Sequence, residues 1–256
     1  MLLCLDIGNT QIFGGVYDGE CLKTTFRRTS TIRASSDEYG MFFRTILREN
    51  EIAPDGIAAA AICSVVPDVL HSLRNCFLKY FHFDPFFLQP GVRTGLKIRY
   101  RNPLEVGADK IANAIGAAGI FPGRNLLIVD FGTATTLCAV SREKEYLGGI
   151  ITPGVQMSMG ALESGTARLT AVEIVRPPEV LGRSIAESIQ SGLYYGAVAT
   201  VRSLAALVTE AHFAGDKPVT VATGGFGRLF AGEQLFDSFI PELPLMGLRR
   251  AYVLSC

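Results

Sequence analysis

A chain of 256 residues holds one large domain or two of medium size, and 48% hydrophobic against 19% charged residues suits a packed core and argues against disorder. Lys plus Arg and Asp plus Glu number 24 each, so no net charge draws the protein toward nucleic acid or an anionic membrane. No apolar stretch approaches the roughly 18 residues of a membrane span, and the six cysteines contain no CxxC pair, so they read as reduced, mostly buried thiols. Met1 runs straight into a strand pattern with no basic leader or cleavage site, and the expectation is a soluble cytoplasmic protein.

In chain order, Leu2 to Asp6 and Gln11 to Tyr17 read as strands, and Asp18-Gly19 turns into a third from Cys21 to Arg28. Ser35 and Glu38 have the spacing of a capping box, with Tyr39, Phe42, Phe43, Ile46 and Leu47 at helical intervals behind them. After Pro54-Asp55-Gly56 comes an apolar strand from Ile57 to Val66. Pro67 starts a helix whose Leu70, Leu73, Phe77 and Phe81 are expected on one face. Short strands follow at Phe86 to Leu88 and Leu96 to Arg101. In the latter, Lys97, Arg99 and Arg101 share one face, and Leu96, Ile98 and Tyr100 the other.

A helix starts near Gly107, and Phe121-Pro122-Gly123 marks the domain boundary. The order then repeats. Two strands run through Val140, a third spans Tyr146 to Ile151, and a helix follows Pro153-Gly154. A long helix runs from Ser184 to about His212, carrying Gly192, Gly196, Ala199 and Ser203 near one face, where small residues allow another helix to approach. A strand from Pro218 to Ala222 enters the Thr223-Gly224-Gly225 turn, which could let an adenine and ribose lie on backbone. The last helix lies near Leu245 to Leu254. Three antiparallel strands followed by alternating helices and strands make a layered α/β domain, used twice.

The repeat is also visible residue by residue. LLCLDIGNTQIFGGV, from Leu2 to Val16, returns as LLIVDFGTATTLCAV, from Leu126 to Val140; Asp6 maps to Asp130, Gly8 to Gly132 and Val16 to Val140 at one constant offset. Each copy puts a carboxylate at a strand end, then a glycine and hydroxyl or amide side chains. Backbone N–H groups and hydroxyls suit phosphate oxygens, whereas a carboxylate suits them only through a cation such as Mg²⁺. Asp130-Phe131-Gly132 spells the protein-kinase DFG, but no HRD loop or VAIK lysine accompanies it, and there is no Walker A loop.

With Asp6, Asp130, the glycine cluster and this length, the chain resembles the superfamily of acetate and sugar kinases, heat-shock ATPases and actin (ASKHA). More closely, it resembles the type III pantothenate kinases over nearly its whole length. The residues that carry this are DIGNT from Asp6, GLKIRYRNPLEVGADK from Gly95, DFGTATT from Asp130, GGIITPG from Gly148 and GTARL from Gly165. The resemblance implies an α/β fold of two tandem ribonuclease H-like domains, residues 1–120 and 121–256, with a nucleotide cleft between them. It implies ATP-dependent phosphorylation of pantothenate to 4′-phosphopantothenate, the first step of coenzyme A biosynthesis, in a homodimer that uses Mg²⁺ and a monovalent cation, K⁺ or NH₄⁺.

By the same resemblance Asp6, Ile7, Gly8, Asn9, Thr10, Gln11, Ile12 and Phe13 bind ATP, with Asp6 acting through Mg²⁺, and Thr133 also contacts ATP. Asp130 holds the monovalent cation. Tyr100, Gly107, Ala108, Asp109, Lys110 and Ile185 match pantothenate-binding positions, and Asp109 matches the general base. A carboxylate within reach of the substrate hydroxyl is what in-line phosphoryl transfer needs to take up the proton. Two positions depart from the pattern. Lys110 replaces a bidentate arginine with a point charge, and Ile185, in place of a threonine, cannot donate a hydrogen bond. Ser184, next to it, has the spacing to cap its helix with Glu187. The rival readings are a kinase for another small alcohol and a catalytically silent homologue with a regulatory or binding role.

Overall fold

β1 (Leu2–Ile7), β2 (Gln11–Asp18) and β3 (Cys21–Thr29) form consecutive antiparallel pairs in this computed structural model, which describes residues 1–31, 34–166 and 168–256. α1 (Ser36–Glu49) starts at a full capping box. The Ser35 hydroxyl accepts from the Glu38 N–H, and the Glu38 carboxylate accepts from the Ser35 N–H at 2.7 Å. β4 (Ala59–Ser64) then lies parallel beside β1, followed by α2 (Leu70–Tyr80) and β5 (Phe86–Phe87), which completes a sheet of order β3-β2-β1-β4-β5.

Alternation along β1 decides which side chains meet the helices. Leu3, Leu5 and Ile7 join Ile12, Val16 and Phe26 in a core filled by Phe43 and Leu47 of α1 and Leu73 and Phe77 of α2. Leu70, expected on that face, is exposed at the first turn of α2, and Val69 is buried instead. Cys4 and Asp6 point to the opposite side.

β6 (Lys97–Ile98) is shorter than expected and does not extend the first sheet. It pairs in parallel with β9 (Glu145–Pro153), because Lys97 and Arg99 donate their N–H groups to the carbonyls of Lys144 and Tyr146, each at 2.9 Å. The expected alternation is present: Lys97, Arg99 and Arg101 are exposed and Leu96, Ile98 and Tyr100 half-buried. α3 (Ala108–Ile120) leads to β7 (Leu126–Phe131) and β8 (Ala134–Val140). β9 is followed by α4 (Val155–Gly165), α5 (Ile185–Phe213), β10 (Val219–Thr223), β11 (Ser238–Phe239) and α6 (Leu243–Ser255). The second sheet runs β11-β10-β7-β8-β9-β6, so β9-β8-β7-β10-β11 repeats the order of the first.

The chain separates into two compact units, which differ from a single cut after residue 120 in two places. The first holds Met1–Leu96, Arg101–Gly119 and Leu243–Cys256; the second holds Lys97–Tyr100 and Ile120–Glu242. The last helix joins the first unit because α3 and α6 pack backbone to backbone. A Cβ at Gly247 would strike the Ala112 carbonyl, and one at Gly116 would lie 2.6 Å from the Leu243 carbonyl oxygen. The close partner expected for the small face of α5 is absent at its two glycines: among the described residues, nothing comes within 4 Å of a Cβ built at Gly192 or Gly196. No helix among the described residues is long and apolar enough to cross a membrane.

Candidate active site

The strand end of the first unit carries Asp6. Its register partners are Phe13 on β2 and Cys63 on β4, and Arg27 pairs with Phe13 on β3. Side chains directly opposite in a sheet share a face, so Arg27, Phe13, Asp6 and Cys63 form one row on the side away from α1 and α2. The Cys63 thiol donates to Asp6 Oδ1 at 3.2 Å, and the Arg27 guanidinium lies 4.0 Å above the Phe13 ring. The three-residue turn Gly8-Asn9-Thr10 closes through the Gly8 N–H, which donates to the Gln11 carbonyl at 2.9 Å. Ser30, just past the end of β3, braces it: its N–H donates to the Thr10 carbonyl at 2.9 Å and its hydroxyl to the Gly8 carbonyl at 2.5 Å.

Of the eight residues from Asp6 to Phe13, only part can present side chains to a ligand. Ile7, Ile12 and Phe13 are buried and offer backbone only, whereas Asn9, Thr10 and Gln11 are exposed and Asp6 and Gly8 half-buried.

Gly107 and Asp109 stand at the start of α3. The Gly107 carbonyl accepts the first helical bond, from the Ile111 N–H at 3.2 Å, which puts the Asp109 carboxylate in the first turn, where the helix dipole favours negative charge. Lys110 Nζ lies 3.4 Å from Asp109 Oδ2, with both side chains largely covered. A Cβ at Gly107 would collide with Asp109 Oδ1, so a glycine there leaves the carboxylate its place. Burial, first, then the Asp6 carboxylate and the Asp109 carboxylate all push the Cys63 thiol well above its ordinary pKa. Asp6 and Asp109, more than a hundred residues apart, therefore bear on the same buried sulfur.

In the second unit Asp130 is half-buried at the equivalent strand end, with Thr136 opposite on β8 and Thr223 on β10. The two hairpins differ by one residue. Ile7 pairs with Ile12, four residues lying between them, whereas Phe131 pairs with Thr135 with three between, so the turn between strands shortens from Gly8-Asn9-Thr10 to Gly132-Thr133. The constant sequence offset is therefore not a constant register, and a slip of one residue exchanges the faces of everything after the turn. Thr133 is exposed at this tip, and its carbonyl accepts from the Gly154 N–H at 3.1 Å. Gly224 has φ +90°, and a Cβ there would meet Asp130 Oδ1 and the Phe131 backbone at 2.6 to 2.7 Å. Gly224 thus packs directly beside Asp130.

Tyr100 lies beside Tyr146, ring centroids 6.4 Å apart, and lines a cavity of about 290 Å³ with Cys138, Gly148 and His212. Ile185 is the first residue of α5 and 62% exposed. Ser184 caps α5 by accepting from the Glu187 N–H at 3.2 Å, and the Glu187 carboxylate accepts from the Arg183 N–H. Ala167, within the GTARL run, lies outside the described residues.

Residues 2–207 match the family model of type III pantothenate kinase. A Legionella pneumophila (strain Corby) type III pantothenate kinase is 51% identical over 255 residues, covering 100% of this chain and 99% of its own. The chain belongs to the type III pantothenate kinase family. Two solved structures share the fold alone. One is a Campylobacter jejuni chain assigned to the Baf transcriptional-activator family (TM-score 0.62, 19% identity, covering 98% of this chain and 97% of that one). The other is the ROK hexokinase from Thermus thermophilus (TM-score 0.51, 15% identity, 98% of each chain). The fold shared with them is a mixed α/β one in which a single sheet order is used twice.

Reading the sequence missed Cys63, which looks like one more apolar residue of a buried strand. Among the described residues no group of three or more His, Cys, Asp or Glu could hold a metal. A lone carboxylate such as Asp6 suits Mg²⁺, which takes one or two carboxylates and completes its shell with phosphate and water.

Proposed function

We propose that the chain phosphorylates the primary alcohol of pantothenate with ATP, giving 4′-phosphopantothenate and ADP at the start of coenzyme A biosynthesis. The observation that carries this reading is the full-length 51% identity to a type III pantothenate kinase, together with the retention of Asp6, Asp109 and Asp130. The turn from Gly8 to Gln11, through the exposed Asn9, Thr10 and Gln11, takes phosphate oxygens, and Thr133 contacts ATP. Mg²⁺, when bound, offsets phosphate charge; Asp6 would hold it, and Asp130 would hold K⁺ or NH₄⁺. Gly107 to Lys110 and Tyr100 take pantothenate. Asp109 accepts the proton as the alcohol oxygen bonds to the γ-phosphorus and the bond to the ADP oxygen breaks.

The chain works in this reading as a cytoplasmic homodimer. Support for a partner surface comes from the exposed Gly192, Gly196, Ala199 and Ser203 face of α5 and from exposed Leu207 on the same helix. The test is ADP release with ATP and Mg²⁺, with pantothenate or one of a panel of other small alcohols, with and without K⁺. Release that requires pantothenate and rises with K⁺ is expected; release driven equally by another alcohol would overturn the substrate assignment.

A further inference from the structure

The row across the first sheet places a second residue in the service of Asp6. We propose that Cys63 is a positioning residue: its thiol, donating to Asp6 Oδ1 at 3.2 Å, fixes the carboxylate that meets the metal–nucleotide. The inference rests on the proposed role of Asp6 and deepens it.

Three features support it. β1 and β4 pair in parallel with Asp6 opposite Cys63, so backbone register holds the sulfur beside the carboxylate. Cys63 is fully buried at the next-to-last position of β4, between Ile62 and Ser64, which leaves its side chain little freedom to turn away. Asp6 is half-buried near a strand end, and a donor on one of its oxygens restricts the rotation of the group. The thiol itself touches neither nucleotide nor metal in this account.

The experiment compares unmutated protein with Cys63→Ala and Cys63→Ser in the full chain. It measures binding of ADP by calorimetry at a series of Mg²⁺ concentrations, Tm, and kcat and KM for ATP and pantothenate. Serine keeps a donor and alanine removes it. The expected result is about tenfold weaker Mg²⁺-dependent ADP binding in Cys63→Ala, the effect of one hydrogen bond to a charged acceptor. KM for pantothenate should stay unchanged and Cys63→Ser should recover most of the binding. Unmutated affinity in Cys63→Ala would overturn the proposal, and so would a Cys63→Ser protein as weak as Cys63→Ala at equal Tm. If the unmutated protein turns over no pantothenate while the binding pattern holds, the substrate reading fails and the positioning role stands.

Discussion

A methyl group at Gly107 would meet Asp109 Oδ1 first and Lys110 Nζ next, at 3.2 Å, and both are ends of flexible side chains. At Gly224 the same addition would meet the Phe131 backbone, which cannot yield as readily. Gly107→Ala should therefore fold normally and move the carboxylate. Misplacing a reacting group by about 1 Å costs about 10²-fold, so kcat should fall to that extent with Tm unchanged. Thermal unfolding and steady-state kinetics on the one variant decide it: unmutated kcat would mean that the place of Asp109 is immaterial. The roles proposed for Asp6, Asp109 and Asp130 come from the sequence, because each sits in a short run that carries its own signature. The role of Cys63 does not, since it depends on a parallel pairing with a strand 57 residues away. Alternation shows which residues share a face of one strand but is silent on which strand lies beside it.

Local signals fared best among the elements. The Ser35 to Glu38 box starts α1 where its four-residue spacing says it should, and Ser35→Ala should cost about 1 kcal/mol of stability at neutral pH. Glu38 is held below its ordinary pKa by the Ser35 N–H and then the Ser35 hydroxyl, and Asp37 by Lys79 and then Tyr80. Carboxylates depressed in the folded state add stability above their unfolded pKa and lose it as pH falls through the folded value. The gap between unmutated and Ser35→Ala protein should thus narrow below the ordinary glutamate range in urea unfolding at stepped pH; a gap that widens in acid would contradict the cap. The sheet joined by β6 was not legible, because Lys97 and Ile98 alternate equally well for either sheet and only the Lys144 and Tyr146 carbonyls settle the choice. Nor was the shorter turn at Gly132-Thr133, since aligned sequences conceal a one-residue change in register.

Across the whole molecule, one sheet order is used in two units, to which the proposed function gives different tasks. In the first, Asp6 stands near the end of β1, with the Cys63 thiol donating to it, and Asp109 stands at the first turn of α3. In the second, Asp130 has Gly224 against it and Thr133 at the turn beyond. The duplication was legible from the constant spacing of aspartate and glycine. The assignment of the last helix to the first unit was not, because it depends on the Gly116 and Gly247 contacts between distant helices. The claim to which everything else is attached is that Asp109 takes the proton from the alcohol that attacks ATP. Asp109→Asn, assayed for pantothenate-dependent ADP release and for binding of Mg²⁺–ATP, tests it most directly. The account predicts that kcat falls by about 10²- to 10⁴-fold with nucleotide affinity retained; an Asp109→Asn protein with full turnover would contradict it.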